Sequence, residues 1–352
     1  MNNRKEVWLL VDSKNNGGIE THILQLAIGL RKHEVSVKVV FLKYYGEHPL
    51  RDSLNSHNIR SESLDGKLST LYTRLKQCSP SIVHTHGYKA GIIGRFLSKL
   101  LGIASISTHH SGDLGKGKVY IYGLIDRITA SLSRKNFSVS KDISNHLYAK
   151  SEILNNFINT DDVDLSYGGR IAYVGRISEE KGPDIFVNLT KRVPDNNFYL
   201  YGDGPGREEL QKTSPANIHF LGCKESMTPY WGEISLLIMP SRHEGLPLAA
   251  IEAMARGIPV IASDVGQLGE LISHRTSGWL IKVGDIKNLE KYTREWLSMS
   301  SQKRLRIRQA ARKHALKHFS SNAVIPSIIH SYNKICNCDL RIQKIPNNHL
   351  IQ

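Results

Sequence analysis

Two glutamates eight residues apart carry the clearest chemical signal in the sequence. Glu244 and Glu252 lie in the segment RHEGLPLAAIEAMARGIPV, residues 242–260. Pro247 suits the first turn of a helix and Gly257 suits its end, so the segment predicts a loop, a helix and then a strand. Glu244 then precedes the helix, and Glu252 lies more than one turn inside it. The two carboxylates cannot form a close acid–base pair, but they can contact two parts of one extended ligand.

The start of this predicted helix is itself a candidate binding element. The free N–H groups of its first turn, from Leu246 to Ala249, suit an anion or sugar hydroxyls at the positive end of the helix dipole. The alternative is an ordinary helix start with two solvated carboxylates, because acidic residues are common near helix N-termini.

Two basic residues follow the first strand predicted in the second half of the chain. Arg176 and Lys181 lie in VGRISEEKG, residues 174–182. A diphosphate would sit at the carboxyl end of such a strand. Arginine offers a bidentate fork and lysine a mobile point charge, which are complementary ways of neutralising phosphate. The pair predicts a diphosphate site, with a simple surface basic pair as the alternative.

Glycine-rich turns follow two further strands. YGDGPG, residues 201–206, allows a ligand to approach the backbone closely, although this pattern is weak evidence for NAD. Gly17 and Gly18 join a strand to a helix near the N-terminus, where phosphate contact and a simple tight turn are both plausible.

The elements that must position these residues alternate regularly. Short β-branched runs alternate with helical patterns of about 10–15 residues, which is typical of parallel sheets built from βαβ units. The predicted strands are Val7–Val11, Val35–Leu42, Ser81–Thr85, Ala104–Ser107, Asn136–Val139, Arg170–Val174, Asn197–Tyr201, Ile218–Leu221, Ser235–Met239, Pro259–Ala262 and Trp279–Val283. The predicted helices include 19–32, 67–77, 89–101, 118–133, Gln302–Phe319 and Ala323–Ile335. The fold class is therefore α/β, with two Rossmann-like doubly wound domains whose strand ends face a central cleft.

The expected domain organisation follows from this alternation and from a polar connector. We expect an N-terminal domain at 1–155, a linker at 156–169 and a C-terminal domain at 170–320. Residues 321–352 would form a C-terminal helix, which could pack back on the N-terminal domain, and a tail.

Composition narrows the classes of partner. The 352 residues carry a formal net charge of +15, which favours anionic partners such as nucleotide diphosphates, anionic lipid surfaces or nucleic acid. No apolar run has the length of a signal peptide core or a membrane span, so we expect a cytoplasmic protein. The four cysteines show no paired CxxC spacing for zinc.

At these residues the sequence resembles glycosyltransferase family 4, whose members have the GT-B fold. The resemblance extends to about residue 320 and is strongest from 170 to 285. It rests most specifically on the spacing of Glu244 and Glu252 around Gly245-Leu246-Pro247. It is also carried by Gly17-Gly18, Thr108-His109-His110, Val139-Ser140, residues 156–159, Gly175-Arg176, Lys181-Gly182, residues 202–205, residues 220–222 and Pro240-Ser241.

The resemblance implies a role for each matching residue. Glu244 would bind donor-sugar hydroxyls and Glu252 the nucleotide ribose. Arg176 and Lys181 would neutralise the leaving diphosphate, and His110 would contact the sugar near the reacting carbon, although His109 competes for that role. The remaining donor-binding residues would be Gly18, at the diphosphate, Gly222 and Lys224, at the nucleobase, and Gly245, Leu246, Pro247 and Leu248, at the helix start.

The resemblance also implies the reaction. It would be sugar transfer from a UDP- or GDP-sugar to a glycan or glycolipid, with retention of anomeric configuration, in bacterial surface polysaccharide or lipopolysaccharide assembly. No cofactor and no obligatory metal are expected. A nucleotide-sugar epimerase of the same fold is one alternative. A basic nucleic-acid-binding protein is another, but it would explain the charge and not the paired carboxylates, so we expect no nucleic-acid partner.

One helix of the first half could contact a membrane carrying a lipid-linked acceptor. Ile92, Ile93, Phe96, Leu97, Leu100 and Leu101 form an apolar stripe, with Lys89, Arg95 and Lys99 beside it. Such stripes usually face the core. The alternative is peripheral association with the anionic cytoplasmic face of the inner membrane.

Overall fold

The computed structural model describes residues 6–15, 17–110, 117–161, 163–337 and 340, with only the backbone of Lys118. The chain divides into two compact units. Unit 1 contains residues 1–159 and 321–352, and unit 2 contains residues 160–320. The C-terminal helix, Ser321–Cys336, thus belongs to unit 1.

The helices and strands confirm the α/β fold class. The strands are β1 (Glu6–Val11), β2 (Ser36–Phe41), β3 (Arg60–Ser63), β4 (Ile82–His86), β5 (Ala104–His109), β6 (Lys135–Ser138), β7 (Glu152–Ile153), β8 (Arg170–Val174), β9 (Phe198–Tyr201), β10 (Ile218–Gly222), β11 (Ile234–Met239), β12 (Val260–Ser263) and β13 (Gly278–Ile281). The helices are α1 (Gly18–Lys32), α2 (Pro49–Ser56), α3 (Leu68–Cys78), α4 (Tyr88–Leu101), α5 (Lys118–Thr129), α6 (Lys141–Asn145), α7 (Pro183–Arg192), α8 (Arg207–Lys212), α9 (Thr228–Trp231), α10 (Leu248–Ala255), α11 (Leu268–Leu271), α12 (Ile286–Ser298), α13 (Ser301–Phe319) and α14 (Ser321–Cys336). Two 3-10 turns lie at Ala130–Leu132 and Glu179–Lys181.

Each unit is built on one parallel sheet. Unit 1 has the strand order β3-β2-β1-β4-β5-β6-β7, and unit 2 has the order β10-β9-β8-β11-β12-β13. In both sheets the first three strands run in reverse spatial order, and the fourth pairs with the first. Two Rossmann-like domains are confirmed, each with a switch point between its first and fourth strands where such sheets bind ligands.

Burial explains why the central strands form from nearly continuous apolar runs. All six residues of β1 and of β11 are buried, as expected for strands covered by helices on both faces. Four elements of unit 1, α2, β3, α6 and β7, were not predicted from the sequence. β3 has the polar sequence RSES and lies at the sheet edge, and β7 has only two residues, so neither carries an apolar pattern.

Helix α14 is part of the unit 1 core. Ile325, Ile328 and Tyr332 are buried there, and α14 packs against α1, where Gly29 leaves space for the Ile325 side chain. Phe157, in the segment predicted to be a polar linker, is also fully buried in this core. Among the described residues, no helix combines the length and the apolar character needed to cross a bilayer.

Candidate functional site

The switch point of unit 2 brings two loops together. One loop follows β8 and contains Arg176 and Lys181, and the other follows β11 and contains Glu244. Since β8 and β11 are hydrogen-bonded neighbours, the ends of these strands lie side by side. Lys181 and Glu244, 63 positions apart in sequence, therefore meet at one edge of the sheet.

Lys181 and Glu244 form the centre of this site. Lys181 Nζ donates to Glu244 Oε2 at 2.6 Å, and Ser241 Oγ donates to Glu244 Oε1 at 2.9 Å. The Glu244 side chain is 5% exposed, whereas that of Lys181 is 30% exposed. The carboxylate is thus fixed at both oxygens, and each oxygen keeps a lone pair for a ligand hydroxyl. The ammonium can reach solvent or an anion with its other N–H groups.

A second set of contacts fastens the two loops to each other. Arg242 donates to both carboxylate oxygens of Asp184, at 2.8 and 2.6 Å, and to the Glu179 carbonyl. The backbone N–H groups of Arg242 and His243 both donate to the Glu180 carbonyl. The guanidinium beside Asp184 holds the pKa of that carboxyl below its usual value. The bidentate ion pair of Arg242 with Asp184 therefore fixes the loop after β11 to the loop after β8.

Two glycines in this region are required by close backbone approach. Gly182 has φ +65°, and a Cβ there would lie 2.3 Å from the Pro240 carbonyl oxygen. A Cβ on Gly202 would lie 1.8 Å from the carbonyl oxygen of Gly175. Gly202 therefore lets the YGDGPG turn lie against the backbone of the loop that carries Arg176, and the approach of a ligand to this turn stays a prediction.

Glu252 lies on α10, and its side chain contacts Trp231. Trp231 Nε1 donates to Glu252 Oε2 at 3.0 Å. Burial raises the pKa of Glu252, and this effect exceeds the opposing effects of Arg256 and the indole hydrogen bond. The carboxylate is largely desolvated, which strengthens any hydrogen bond it accepts from a hydroxyl.

The start of α10 differs slightly from the prediction. Pro247 is the N-cap, in extended conformation, and the helix begins at Leu248 rather than at the proline. The Leu246 side chain is buried, and the Gly245 carbonyl accepts a hydrogen bond from the Gln267 N–H at 2.9 Å. Both contacts fix the loop that carries Glu244.

The remaining predicted donor-binding residues of unit 2 lie at neighbouring strand ends. Arg176 is exposed after β8. Gly222 ends β10 with φ +72°, and the ammonium of Lys224, two residues on, lies 5.0 Å from the ring centre of Tyr230. These residues follow β8 and β10, so a ligand bound along this sheet edge would meet both.

In unit 1, His110 lies in a cluster of histidines. Its Nε2 is 3.1 Å from His86 Nδ1, and its ring centre is 4.8 Å from that of His22. Burial and the neighbouring imidazoles hold the pKa of His110 and of His86 well below the usual value, and burial lowers the pKa of His22 to about 4. The three imidazoles are therefore neutral at pH 7.

The neighbouring His109 belongs to a separate network. Its Nδ1 lies 3.0 Å from Asp126 Oδ2 and its Nε2 lies 3.2 Å from Asn136 Oδ1. Asp126 also pairs with Arg95, whose side chain is fully buried. His109 has both nitrogens engaged inside the domain, which leaves His110 as the histidine available to a ligand. Gly18, the first residue of α1, is exposed, with open space around its Cα.

Three residues that support these groups were given no such role from the sequence. Ser241 orients Glu244, Trp231 orients Glu252, and His86 contacts His110. Ser241 was noted, with Pro240, only as part of the family resemblance. Trp231 and His86 are brought in by folding from distant positions, and no spacing signals them.

The sequence matches two family descriptions that together span most of the chain. Residues 16–162 match Glycosyltransferase Family 4, and residues 168–314 match Glycosyl transferases group 1. The first match lies in unit 1 except for its last three residues, and the second lies in unit 2.

Individual relatives have similar descriptions. An uncharacterised glycosyltransferase of Methanocaldococcus jannaschii is 30% identical over 60% of this chain and 63% of its own length. The UDP-Gal:alpha-D-GlcNAc-diphosphoundecaprenol alpha-1,3-galactosyltransferase of Escherichia coli is 26% identical over 62% of this chain and 67% of its own. The chain thus spans about two thirds of the length of these relatives.

Solved structures agree with the fold. The Anabaena protein HepE, solved in complex with UDP, superposes with a TM-score of 0.80 over 94% of this chain and 100% of its own. Sequence identity is 17%, so this likeness concerns the fold.

Proposed function

The chain belongs to glycosyltransferase family 4, and from that premise we propose that it transfers a sugar from a UDP- or GDP-sugar to a glycan or glycolipid hydroxyl with retention of anomeric configuration. The observation that carries the proposal is the Lys181–Glu244 contact at the switch point of unit 2. It pairs a cation suited to phosphate with a fixed carboxylate suited to sugar hydroxyls.

The charges of this site match the changes in the reaction. The bond from the anomeric carbon to the diphosphate oxygen breaks, and a bond from that carbon to the acceptor oxygen forms. The acceptor hydroxyl proton passes to the leaving diphosphate oxygen. Negative charge grows on the diphosphate as the bond breaks, and Arg176 and Lys181 stabilise it.

The other residues hold the donor in place. Glu244, fixed by Ser241, accepts hydrogen bonds from the sugar hydroxyls. Glu252, which contacts Trp231, accepts hydrogen bonds from the ribose hydroxyls. Gly222 and Lys224 lie at the nucleobase, and the Tyr230 ring near Lys224 offers a face on which a base can stack. The roles that the resemblance implies for Gly18 and His110 of unit 1 stay predictions.

We propose that turnover needs no divalent metal, because two cationic side chains supply the charge that a metal would otherwise supply. Addition of a chelator should therefore not lower the rate. A rate that falls to background on chelation and returns with Mg²⁺ or Mn²⁺ would contradict this part of the proposal.

We propose a lipid-linked acceptor and contact with an anionic membrane surface, through an apolar patch on α4 and α5. The patch consists of Phe96, Leu100, Val119, Tyr120, Ile121, Tyr122, Ile125 and Ile128, all exposed by 38–64%. Exposed apolar surface of this extent commonly marks an interaction site. The net charge of +15 favours an anionic surface as its partner, and the lipid diphosphate in the name of the Escherichia coli relative supports a lipid-linked acceptor.

This patch differs from the one predicted from sequence. Leu97 of the α4 stripe is buried, and Arg95, predicted to lie beside the stripe, is fully buried in its ion pair with Asp126. α5, which packs against α4, supplies most of the exposed apolar residues. The surface lies where two helices meet, so a single helical stripe could not reveal it.

Vesicle binding tests the patch. The double variant Ile121→Glu/Ile125→Glu should bind vesicles of phosphatidylglycerol and phosphatidylcholine at least about tenfold more weakly, since each isoleucine contributes about 1.5–3 kcal/mol when buried. Leu305→Glu is the matched control, because Leu305 is 53% exposed on α13 and outside the patch. Equal binding by all three proteins would contradict a membrane role.

Donor-dependent release of nucleoside diphosphate tests the transferase proposal. Purified protein is incubated with UDP- and GDP-sugars and with lipid-linked glycan acceptors, and the anomeric configuration of the product is determined. Lys181→Ala and Glu244→Gln should each reduce turnover, while Lys191→Ala, at an exposed lysine of α7, should not. Full turnover in both site variants would show that the site is wrongly assigned.

A further inference from the structure

Unit 1 contains a group of three imidazoles with metal-ligand spacing. His22 lies on α1, His86 ends β4 and His110 follows β5, so the switch point of this sheet gathers them. One ring nitrogen from each lies within 4.8 Å of the others. Tetrahedral zinc with bonds of about 2.0–2.1 Å to nitrogen requires ligand nitrogens about 3.4 Å apart. His86 and His110, at 3.1 Å, are already near that distance, and His22 needs a shift of about 1–1.5 Å.

The cluster has unused ligand capacity. Both ring nitrogens of His22 are buried without a hydrogen bond of normal geometry, and Nδ1 of His86 faces Nε2 of His110. Buried polar atoms nearly always have a partner, because leaving one unsatisfied costs about 1–3 kcal/mol. The adjacent His84, by contrast, is satisfied on both sides, by Tyr332 at 2.6 Å and Thr108 at 2.7 Å. The His22 ring nitrogens, unlike those of His84, therefore remain open to a ligand.

The surroundings suit a bound ion. The side chain of Asn156 interacts with the His22 ring, a contact of the kind that fixes the tautomer of a ligating histidine. His110 also lines a pocket of about 50 Å³ shared with Ile19, Gly87 and Thr108. That volume holds a water molecule, which could act as a fourth ligand beside His110.

We propose that His22, His86 and His110 bind one late first-row divalent ion, with Zn²⁺ as the best fit. An all-imidazole donor set without a carboxylate favours Zn²⁺, Cu²⁺ or Ni²⁺ over Mg²⁺ or Ca²⁺. The ion is not needed for the transfer reaction. Because it engages His110, for which a contact with the donor sugar is predicted, it inhibits turnover. This consequence rests on the proposed function, whereas the binding itself does not.

Direct binding of Zn²⁺ tests the site. Protein without a polyhistidine tag is stripped with a chelator, titrated with Zn²⁺ and analysed for bound metal. Wild type should bind one tight Zn²⁺ per chain. His22→Phe and His86→Phe, which keep an aromatic ring, should bind more than about tenfold more weakly, since loss of even an outer partner of a ligand costs about 10–100-fold. His22→Cys replaces one ligand by another and should retain the tight site.

A control excludes a surface pair of histidines on α13. His314 and His318 are four residues apart, with ring centres 4.9 Å apart, and could bind metal adventitiously. His314→Ala should therefore keep the tight site. Loss of tight binding in His314→Ala, or equal binding by wild type and His22→Phe, would overturn the proposal, as would absence of tight binding in wild type.

Turnover gives an independent readout. Zn²⁺ should inhibit wild type, a chelator should restore its rate, and His22→Phe should lose a much smaller fraction of its own rate to Zn²⁺. Tight binding without any turnover by metal-free protein would contradict the transferase proposal alone. Turnover that is insensitive to Zn²⁺ while the site is loaded would overturn the inhibitory role.

Discussion

Loss of the Lys181 ammonium should destabilise unit 2 by more than the loss of a surface ion pair. Exposed ion pairs contribute about 0–1 kcal/mol, and breaking a fully buried pair costs about 3–5 kcal/mol. Here the Glu244 side chain is 5% exposed and the Lys181 side chain 30% exposed, with 2.6 Å between Nζ and Oε2. Lys181→Ala leaves a nearly buried carboxylate held only by Ser241, so we expect an intermediate cost of about 1.5–3 kcal/mol.

A double-mutant cycle isolates this interaction. Glu244→Gln removes the charge that Lys181→Ala leaves unpaired, so the double variant should be more stable than the sum of the two single losses predicts, by about 1–2 kcal/mol. Urea unfolding followed by tryptophan fluorescence suits the measurement, because Trp231, Trp279 and Trp296 all lie in unit 2.

The matched control is Arg192→Ala, which removes the more exposed pair of Arg192 with Glu290, 3.4 Å apart. That variant should lose no more than about 1 kcal/mol. Additive losses at Lys181 and Glu244, or equal losses in Lys181→Ala and Arg192→Ala, would refute the view that this ion pair is the fixed centre of the site.

Three further outcomes follow from burial and backbone geometry. Burial raises the pKa of Glu252 above its usual value of 4.5, so between the two pKa values the folded chain keeps a proton that the unfolded chain has lost. Wild type should therefore lose stability relative to Glu252→Gln as the pH rises from about 4.5 through the folded pKa, as measured by urea unfolding at a series of pH values. A stability difference that stays constant with pH would contradict this. Gly182→Ala should lower the melting temperature, because an alanine in this left-handed conformation costs about 1–2 kcal/mol and its Cβ would clash with the Pro240 carbonyl. Gly232→Ala should leave the melting temperature unchanged, because Gly232 has φ −59° and open space where a Cβ would lie. Arg95→Met should cost about 3–5 kcal/mol in urea unfolding, since it leaves a buried carboxylate without its guanidinium, and a loss below about 1 kcal/mol would contradict a buried ion pair.

The parts of the fold that could be predicted from sequence are those in which local pattern and burial agree. β8 and β11 are apolar runs at the centre of their sheet, and their bounds were predicted within one residue. β3 is a polar edge strand and β7 is an edge strand of two residues. Each forms because a neighbouring strand provides hydrogen-bond partners, and that pairing cannot be predicted from the local sequence pattern.

Some residues of the candidate site could be predicted from the local sequence, and others could not. Lys181 and Glu244 could be placed at one sheet edge because each follows a central strand, and the structure brings them into contact. The choice between His109 and His110 could not be made from sequence, since it depends on Asp126 and Asn136 folding against His109. The burial of Arg95 likewise depends on a carboxylate 31 residues away.

Nucleotide binding tests the central claim most directly. UDP and GDP are titrated calorimetrically into wild type, Lys181→Ala and Lys191→Ala. One of the two nucleotides should bind wild type and Lys191→Ala with equal affinity, and Lys181→Ala about 10–100-fold more weakly, because a charge-assisted hydrogen bond contributes about 1.5–3 kcal/mol. Equal affinity for all three proteins, or binding of neither nucleotide to wild type, would contradict the account.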